Sequence, residues 1–157
     1  MAEDEGAERL PRKDESQQLL EESRMILPGT QALAGFQFIA VLNEGFARLP
    51  PAARMLHVAA LVLVMLSMSL LMAPAAYHRI AERHLVSDRF IALASRLITA
   101  AMGLLAIGIS IEIAIAAWVA LDRALAPALA LAVLFFGLCV GLWFVFPLRR
   151  RVPPRPD

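Results

Sequence analysis

The sequence predicts an all-α integral membrane protein, a four-helix bundle made of two antiparallel transmembrane hairpins with both termini on the cytoplasmic side. Three observations predict it. Hydrophobic residues make up 59% of the 157 residues and charged residues 18%, against about 45–50% and about 25% in an ordinary soluble domain. The apolar residues gather into four runs, each close to the roughly 20 helical residues that cross a hydrocarbon core of about 30 Å. The basic residues fall unevenly on the two sides of those runs. A mean hydropathy of +0.65 agrees, and a soluble enzyme of this composition would expose apolar patches well above the few hundred Å² that soluble monomers carry.

The chain opens on an acidic tail, residues 1–13, too polar to build a core and expected to be disordered. It has neither the apolar centre nor the small-residue cleavage site of a signal peptide, so the first span is expected to act as the targeting signal and stay. Residues 14–27 set Leu19, Leu20, Ser23, Ile26 and Leu27 on one helical face, with Glu15, Glu21, Glu22 and Arg24 largely elsewhere. That pattern predicts a short amphipathic helix along the interface, ending before Pro28. The transmembrane domain, 26–147, contains spans at about 26–47, 55–77, 97–121 and 124–147. Leu49-Pro50-Pro51 divides the first two and Asp122-Arg123 the last two, connections short enough for antiparallel hairpins. Before the third span, Ser87-Asp88 reads as an N-cap, and Phe90, Leu93, Ala94 and Leu97 carry the helical period beyond the apolar run. Spans two and four each end in a proline followed by basic residues, a hint of duplicated hairpins. Residues 148–157 form a basic tail.

Orientation follows from the basic residues. Arg9, Arg12, Lys13, Arg24, Arg79, Arg83, Arg89, Arg96, Arg149, Arg150, Arg151 and Arg155 share one side, whereas Arg48, Arg54 and Arg123 share the other. Cytoplasmic loops carry such an excess. The expected location is a bacterial cytoplasmic (inner) membrane, multi-pass, with both termini cytoplasmic. The single cysteine, Cys139, lies inside an apolar run and reads as a small buried residue.

Two motifs, Leu27-Pro28-Gly29-Thr30-Gln31 and Ala73-Pro74-Ala75-Ala76-Tyr77-His78-Arg79, taken together resemble a bacterial family of small four-helix membrane proteins known as domain of unknown function family 6328. The resemblance runs from about residue 19 to residue 150. It implies an inner-membrane protein of four helices without an assigned activity. Departures from the family's pattern fall at Gln37, an apolar position in the family, and at Gly45, where the family has an arginine.

Glu112 is the residue most able to carry chemistry, because an ionisable side chain inside a span costs at least ~2.5 kcal/mol when charged and is a functional hypothesis by default. Counting about 1.5 Å per residue from the span ends places Glu112, Gln37 and Ser67 at similar depth. They form the candidate ion or proton site. The plainer reading is a hydrogen-bonded glutamate that ties helices together, at about 0.6–2 kcal/mol per bond.

Other features have plain readings. Glu44 and Arg48, four apart, make an interfacial ion pair, and Asn43 and His57 read with them as a wet helix end. His78 and Glu82 share a face, but a metal needs three or four ligands, so no metal and no cofactor are expected. Arg79, Arg83, Arg149, Arg150 and Arg151 are assigned to anionic lipid headgroups of the bilayer on the cytoplasmic side. Gly137 and Gly141 form a GxxxG, and Ala106, Ser110 and Ala114 repeat small residues every four, both signs of close helix packing within one chain or between chains. Met65, Met68 and Met72 read as packing. No nucleic-acid motif, catalytic triad or phosphate loop appears, so no enzyme is expected. The sequence thus points to a structural or accessory protein that works through helix–helix association with itself or a larger membrane partner. The alternative is a small oligomeric proton or cation transporter, antiporter-like, that uses Glu112, expected near the membrane midplane.

Overall fold

The computed structural model describes residues 12–82 and 87–150. Its elements are α1 (Arg12–Leu42), the short α2 (Glu44–Ala47), α3 (Pro51–Ala81), α4 (Asp88–Ala120), α5 (Leu125–Val140), a π-helical turn (Gly141–Val145) and α6 (Phe146–Arg149). Four helical stretches are long and apolar enough to cross a membrane, within α1, α3 and α4 and along Leu125–Arg149. The disordered tail expected for residues 1–13 falls largely outside the described residues, as do the side chains of Arg83 and Arg151.

The expected interfacial helix is not a separate element. α1 runs unbroken through Pro28, and the cause is its buried seam. Ser16, Ser23, Thr30 and Gln37 are seven apart and all buried, with Leu19, Ile26, Leu27, Leu33 and Ala34 between them packed into two apolar clusters. A seven-residue repeat keeps one face on its partner along the whole length of a helix. Pro28 sits on the exposed side of α1, where its missing N–H and its ring disturb only the outward part of the ladder. The hydroxyls of Ser23 and Thr30 donate back to Leu19 O and Ile26 O at 3.1 and 3.0 Å, so the seam buries no unsatisfied hydroxyl there. At about 1.5 Å per residue the 31 residues of α1 span about 46 Å. Its charged first turns therefore project beyond a 30 Å core.

α3 and α4 form the central antiparallel pair. α3 starts with proline in its first turn, where a missing N–H costs nothing. It buries His57, Ala60, Val64, Ser67, Leu71 and Pro74, at intervals of three and four. α4 answers with Phe90, Ala94, Ile98, Ala101, Leu105 and Gly108. The two helices pack tightly at Gly108, where an added Cβ would lie 3.2 Å from Val64 Cγ2 and 3.3 Å from the Ala60 carbonyl oxygen. At the other end Phe90 fills the gap, its ring 5.8 Å from Tyr77 and 5.6 Å from His78.

α5 packs chiefly on α4, through Ala128, Ala132 and Cys139. The turn before it is tight, with Asp122 and Arg123 both at positive φ (48° and 66°). Gly137 and Gly141 meet nothing within 4 Å of an added Cβ, so this GxxxG does not pack within the chain. Ala106 and Ser110 are buried, and Ser110 and Ala114 line a groove with Leu129 and Ala132 of α5. The small-residue repeat of α4 is thus used inside the chain and that of α5 is left facing outward. The hint of duplicated hairpins does not extend to the helix ends. Pro74 stays within an α-helix, whereas Pro147 follows the π-helical turn, whose wider ladder accommodates the proline ring.

The connection into α4 is held by one glutamate. The Ser87 hydroxyl donates to Glu82 Oε1 at 2.6 Å and the Ser87 N–H to Glu82 Oε2 at 3.0 Å, while Ser87 Oγ accepts from Phe90 N at 3.1 Å. The Ser87 hydroxyl first, then its N–H, hold the Glu82 carboxyl below the usual carboxylate range. A lowered value means that this contact is intact above the ordinary carboxyl range and lost only as the pH falls through the lowered one. Ser87→Ala is expected to cost about 1 kcal/mol through the lost N-cap. Faster amide exchange confined to the first turn of α4 is the readout; unchanged exchange there would show that the cap contributes nothing.

Candidate functional site

Three helices converge on Glu112. Gln37 Nε2 of α1 donates to Glu112 Oε1 at 2.8 Å. His57 Nδ1 of α3 lies 3.0 Å from Glu112 Oε1 and 3.2 Å from Oε2. The other imidazole nitrogen, Nε2, lies 3.0 Å from the backbone carbonyl oxygen of Gln37. The His57 side chain is 4% exposed and that of Glu112 21%. On the connector side Phe46 of α2 covers the imidazole edge-on, ring centres 5.1 Å apart. α2 is placed for this by Asn43, whose side chain caps it by accepting from Gly45 N at 2.9 Å.

The donor and acceptor inventory dictates the chemistry. A carbonyl oxygen only accepts, so His57 Nε2 carries a hydrogen. An ionised carboxylate also only accepts, so beside it Nδ1 must carry one too, which makes the ring an imidazolium; the alternative is a neutral ring that accepts from a protonated Glu112. Both arrangements share one proton between Glu112 and His57 and leave the pair neutral. Removing that proton sets an imidazole lone pair against an acceptor, at Glu112 or at the Gln37 carbonyl. An unsatisfied buried polar group costs about 1–3 kcal/mol. Gln37 Oε1 is buried and, among the described residues, has no hydrogen-bond partner. A half-turn of that amide would offer Oε1 to a protonated Glu112, so Gln37 can match either charge state of the carboxyl.

The structure thus brings Gln37 and Glu112 together and leaves Ser67 out. Ser67 lies ten residues further along α3, about 15 Å away, and its hydroxyl donates to Ala101 O of α4 at 2.8 Å. Counting from Met55 misplaces it because α3 begins earlier, at Pro51, and because Glu112, eight residues before the end of α4, is level with His57, only six residues after the start of α3. His57 occupies the place expected for Ser67. It is not part of a wet helix end: it continues the buried spacing of Ala60, Val64, Ser67 and Leu71, and that period was the signal in the sequence that could have found it. Glu44 and Arg48 do form an exposed pair, at 3.9 Å.

The remaining candidates are scattered. Arg79 is exposed on α3, and Arg149 and Arg150 are exposed at the end of α6, where Arg150 lies over the Phe146 ring at 5.8 Å. Among the described residues no three His, Cys, Asp or Glu side chains gather as metal ligands.

Residues 3–147 match the model of a family of unknown function, DUF6328. The chain belongs to that family. No curated protein and no solved structure gives a match. The buried Gln37–His57–Glu112 cluster is therefore, for this DUF6328 chain, the most specific functional lead.

Proposed function

We propose that the protein is a non-enzymatic accessory protein of a bacterial inner membrane, with both termini cytoplasmic, whose helix packing responds to a proton held between His57 and Glu112. The observation that carries this reading is a buried imidazole placed between a carboxylate and a backbone carbonyl. With the proton bound, α1, α3 and α4 are tied at one point; without it, two acceptors or a lone pair and an acceptor face each other and the tie loosens. The twelve-to-three split of basic residues supports the orientation. The outward-facing Gly137 and Gly141 support assembly with a second copy or a larger membrane partner. Below the site, Ser67, Leu71 and Phe90 are buried and closely packed, which favours a local switch over a polar route through the bundle. Anionic headgroups are the expected neighbours of the arginines at the terminal end.

The second reading, a small oligomeric proton or cation transporter, is favoured by one observation. Glu112 is the more exposed of the pair, which makes it the member that an arriving proton or cation would meet first. A pH-jump flux assay in proteoliposomes, with and without sodium, on wild type and Glu112→Gln separates the two. The accessory reading predicts no flux above empty vesicles from folded protein. Flux abolished by Glu112→Gln would overturn it in favour of transport. For the assembly part, Gly137→Leu with Gly141→Leu is expected to reduce the particle mass in mild detergent or to strip co-purifying partners. An unchanged particle would contradict it.

A further inference from the structure

At the terminal end of the bundle, α1 and α3 part to leave a groove of about 680 Å³, within the roughly 300–1,000 Å³ of small-ligand sites. Its walls include Leu20, Leu27, Met72 and Ala76, and its lining also includes Arg24 and Arg79. The groove exists because α3 presents small side chains there, the run Ala73-Pro74-Ala75-Ala76, opposite leucines of α1. Leu27, which opens the first sequence motif, therefore faces Ala73, Ala75, Ala76 and Arg79 of the second across this groove.

We propose that this groove holds one anionic phospholipid, its phosphate on Arg24 and Arg79 and one acyl chain along Leu27, Met72 and Ala76. The proposal rests on the membrane placement given above and not on the proton site. Charge complementarity identifies the occupant. Arg24 and Arg79 close the apolar runs of α1 and α3 at the same end, where a bilayer places its headgroups. Guanidinium groups offer several donors each in a fork that matches phosphate oxygens, and a contact made elsewhere by one donor leaves others for the lipid. The nearby acids do not oppose this. At about 100° per residue Glu22 points to the far side of α1 from Arg24; Glu21, three residues before Arg24 and about 60° from it, can occupy at most part of one guanidinium fork; and Glu82 is engaged by Ser87. An apolar lining behind two cations suits an amphiphile and offers a free phosphate no reason to enter.

The test is native mass spectrometry of the delipidated full chain in detergent, titrated with phosphatidylglycerol or phosphatidylcholine. Wild type is expected to retain one phosphatidylglycerol with a preference over phosphatidylcholine of about fivefold for each arginine. Arg24→Gln with Arg79→Gln should abolish the preference. Ala76→Phe should fill the groove and remove the retained lipid with both charges in place, while Arg149→Gln with Arg150→Gln should change neither. Equal retention of the two lipids by wild type, which needs no variant to fold, would overturn the proposal. So would wild-type retention by a helical Ala76→Phe variant, or a loss of retention that tracks a change in oligomer mass, which would make a second copy the occupant.

Discussion

Replacing His57 with leucine is expected to be among the most damaging single changes, costing about 3 kcal/mol, the lower end for breaking a buried pair, because it leaves the part-buried Glu112 carboxyl without the imidazole that shares its proton. The His57 side chain is 4% exposed and that of Glu112 21%. Glu112→Leu is expected to loosen the bundle as well, since it strips the bonds to both His57 and Gln37. Glu112→Gln should be milder, because an amide keeps hydrogen-bonding capacity. The diagnostic variant is the double one. His57→Leu combined with Glu112→Leu removes both members together, and apolar replacements of a buried pair are often neutral or stabilising, so the double variant should be more stable than His57→Leu alone. Thermal unfolding in detergent measures all four. Additive losses in the double variant would mean that His57 and Glu112 do not act on each other.

Gly108→Leu is expected to cost about 3 kcal/mol, at the upper end for overpacking, by forcing α3 from α4 where Gly108 lets them pack tightly. The obstacle includes backbone: an added Cβ meets the Ala60 carbonyl oxygen at 3.3 Å and Val64 Cγ2 at 3.2 Å, and the rest of a leucine has nowhere to go. Gly108→Ala should be nearly neutral. It needs a shift of only a few tenths of an ångström and gains about 1 kcal/mol of helix propensity over glycine. Because Gly108 lies one turn from Glu112 on α4, the leucine should also weaken the site. Wild-type stability in Gly108→Leu would show that the two helices are held less closely than described.

The four long helices were legible because each is a run of apolar residues between prolines or charges, and because hydropathy needs no partner to be read. Register was not legible. It depends on which side chains interlock, and a count from the ends of apolar runs errs by the length of any helix that extends past them, as α3 does at Pro51. That error put Ser67 where His57 belongs. The join at Pro28 was misread for a related reason: a proline was taken as a stop, whereas the heptad of Ser16, Ser23, Thr30 and Gln37 shows that the buried face continues through it. Polar residues on that seam disguise it, since an apolar periodicity search passes over serine and threonine hydroxyls that bond back to their own helix. Gly108 was overlooked for the opposite reason. A lone glycine among alanines carries no pattern, and its importance appears only when Val64 and the Ala60 carbonyl stand beside it.

The proton held between His57 and Glu112 is tested most directly by nitrogen-15 magnetic resonance of the histidine side chains in lipid nanodiscs, on wild type and Glu112→Gln. The chain has only three histidines, and His57→Asn assigns the buried one. The account predicts that His57 carries hydrogen on Nε2, towards the Gln37 carbonyl, and that its Nδ1 signal reports a proton shared with the Glu112 carboxyl and changes in Glu112→Gln. A His57 whose Nδ1 signal is the same with and without the Glu112 carboxyl would contradict the shared proton and leave the cluster a fixed joint between helices.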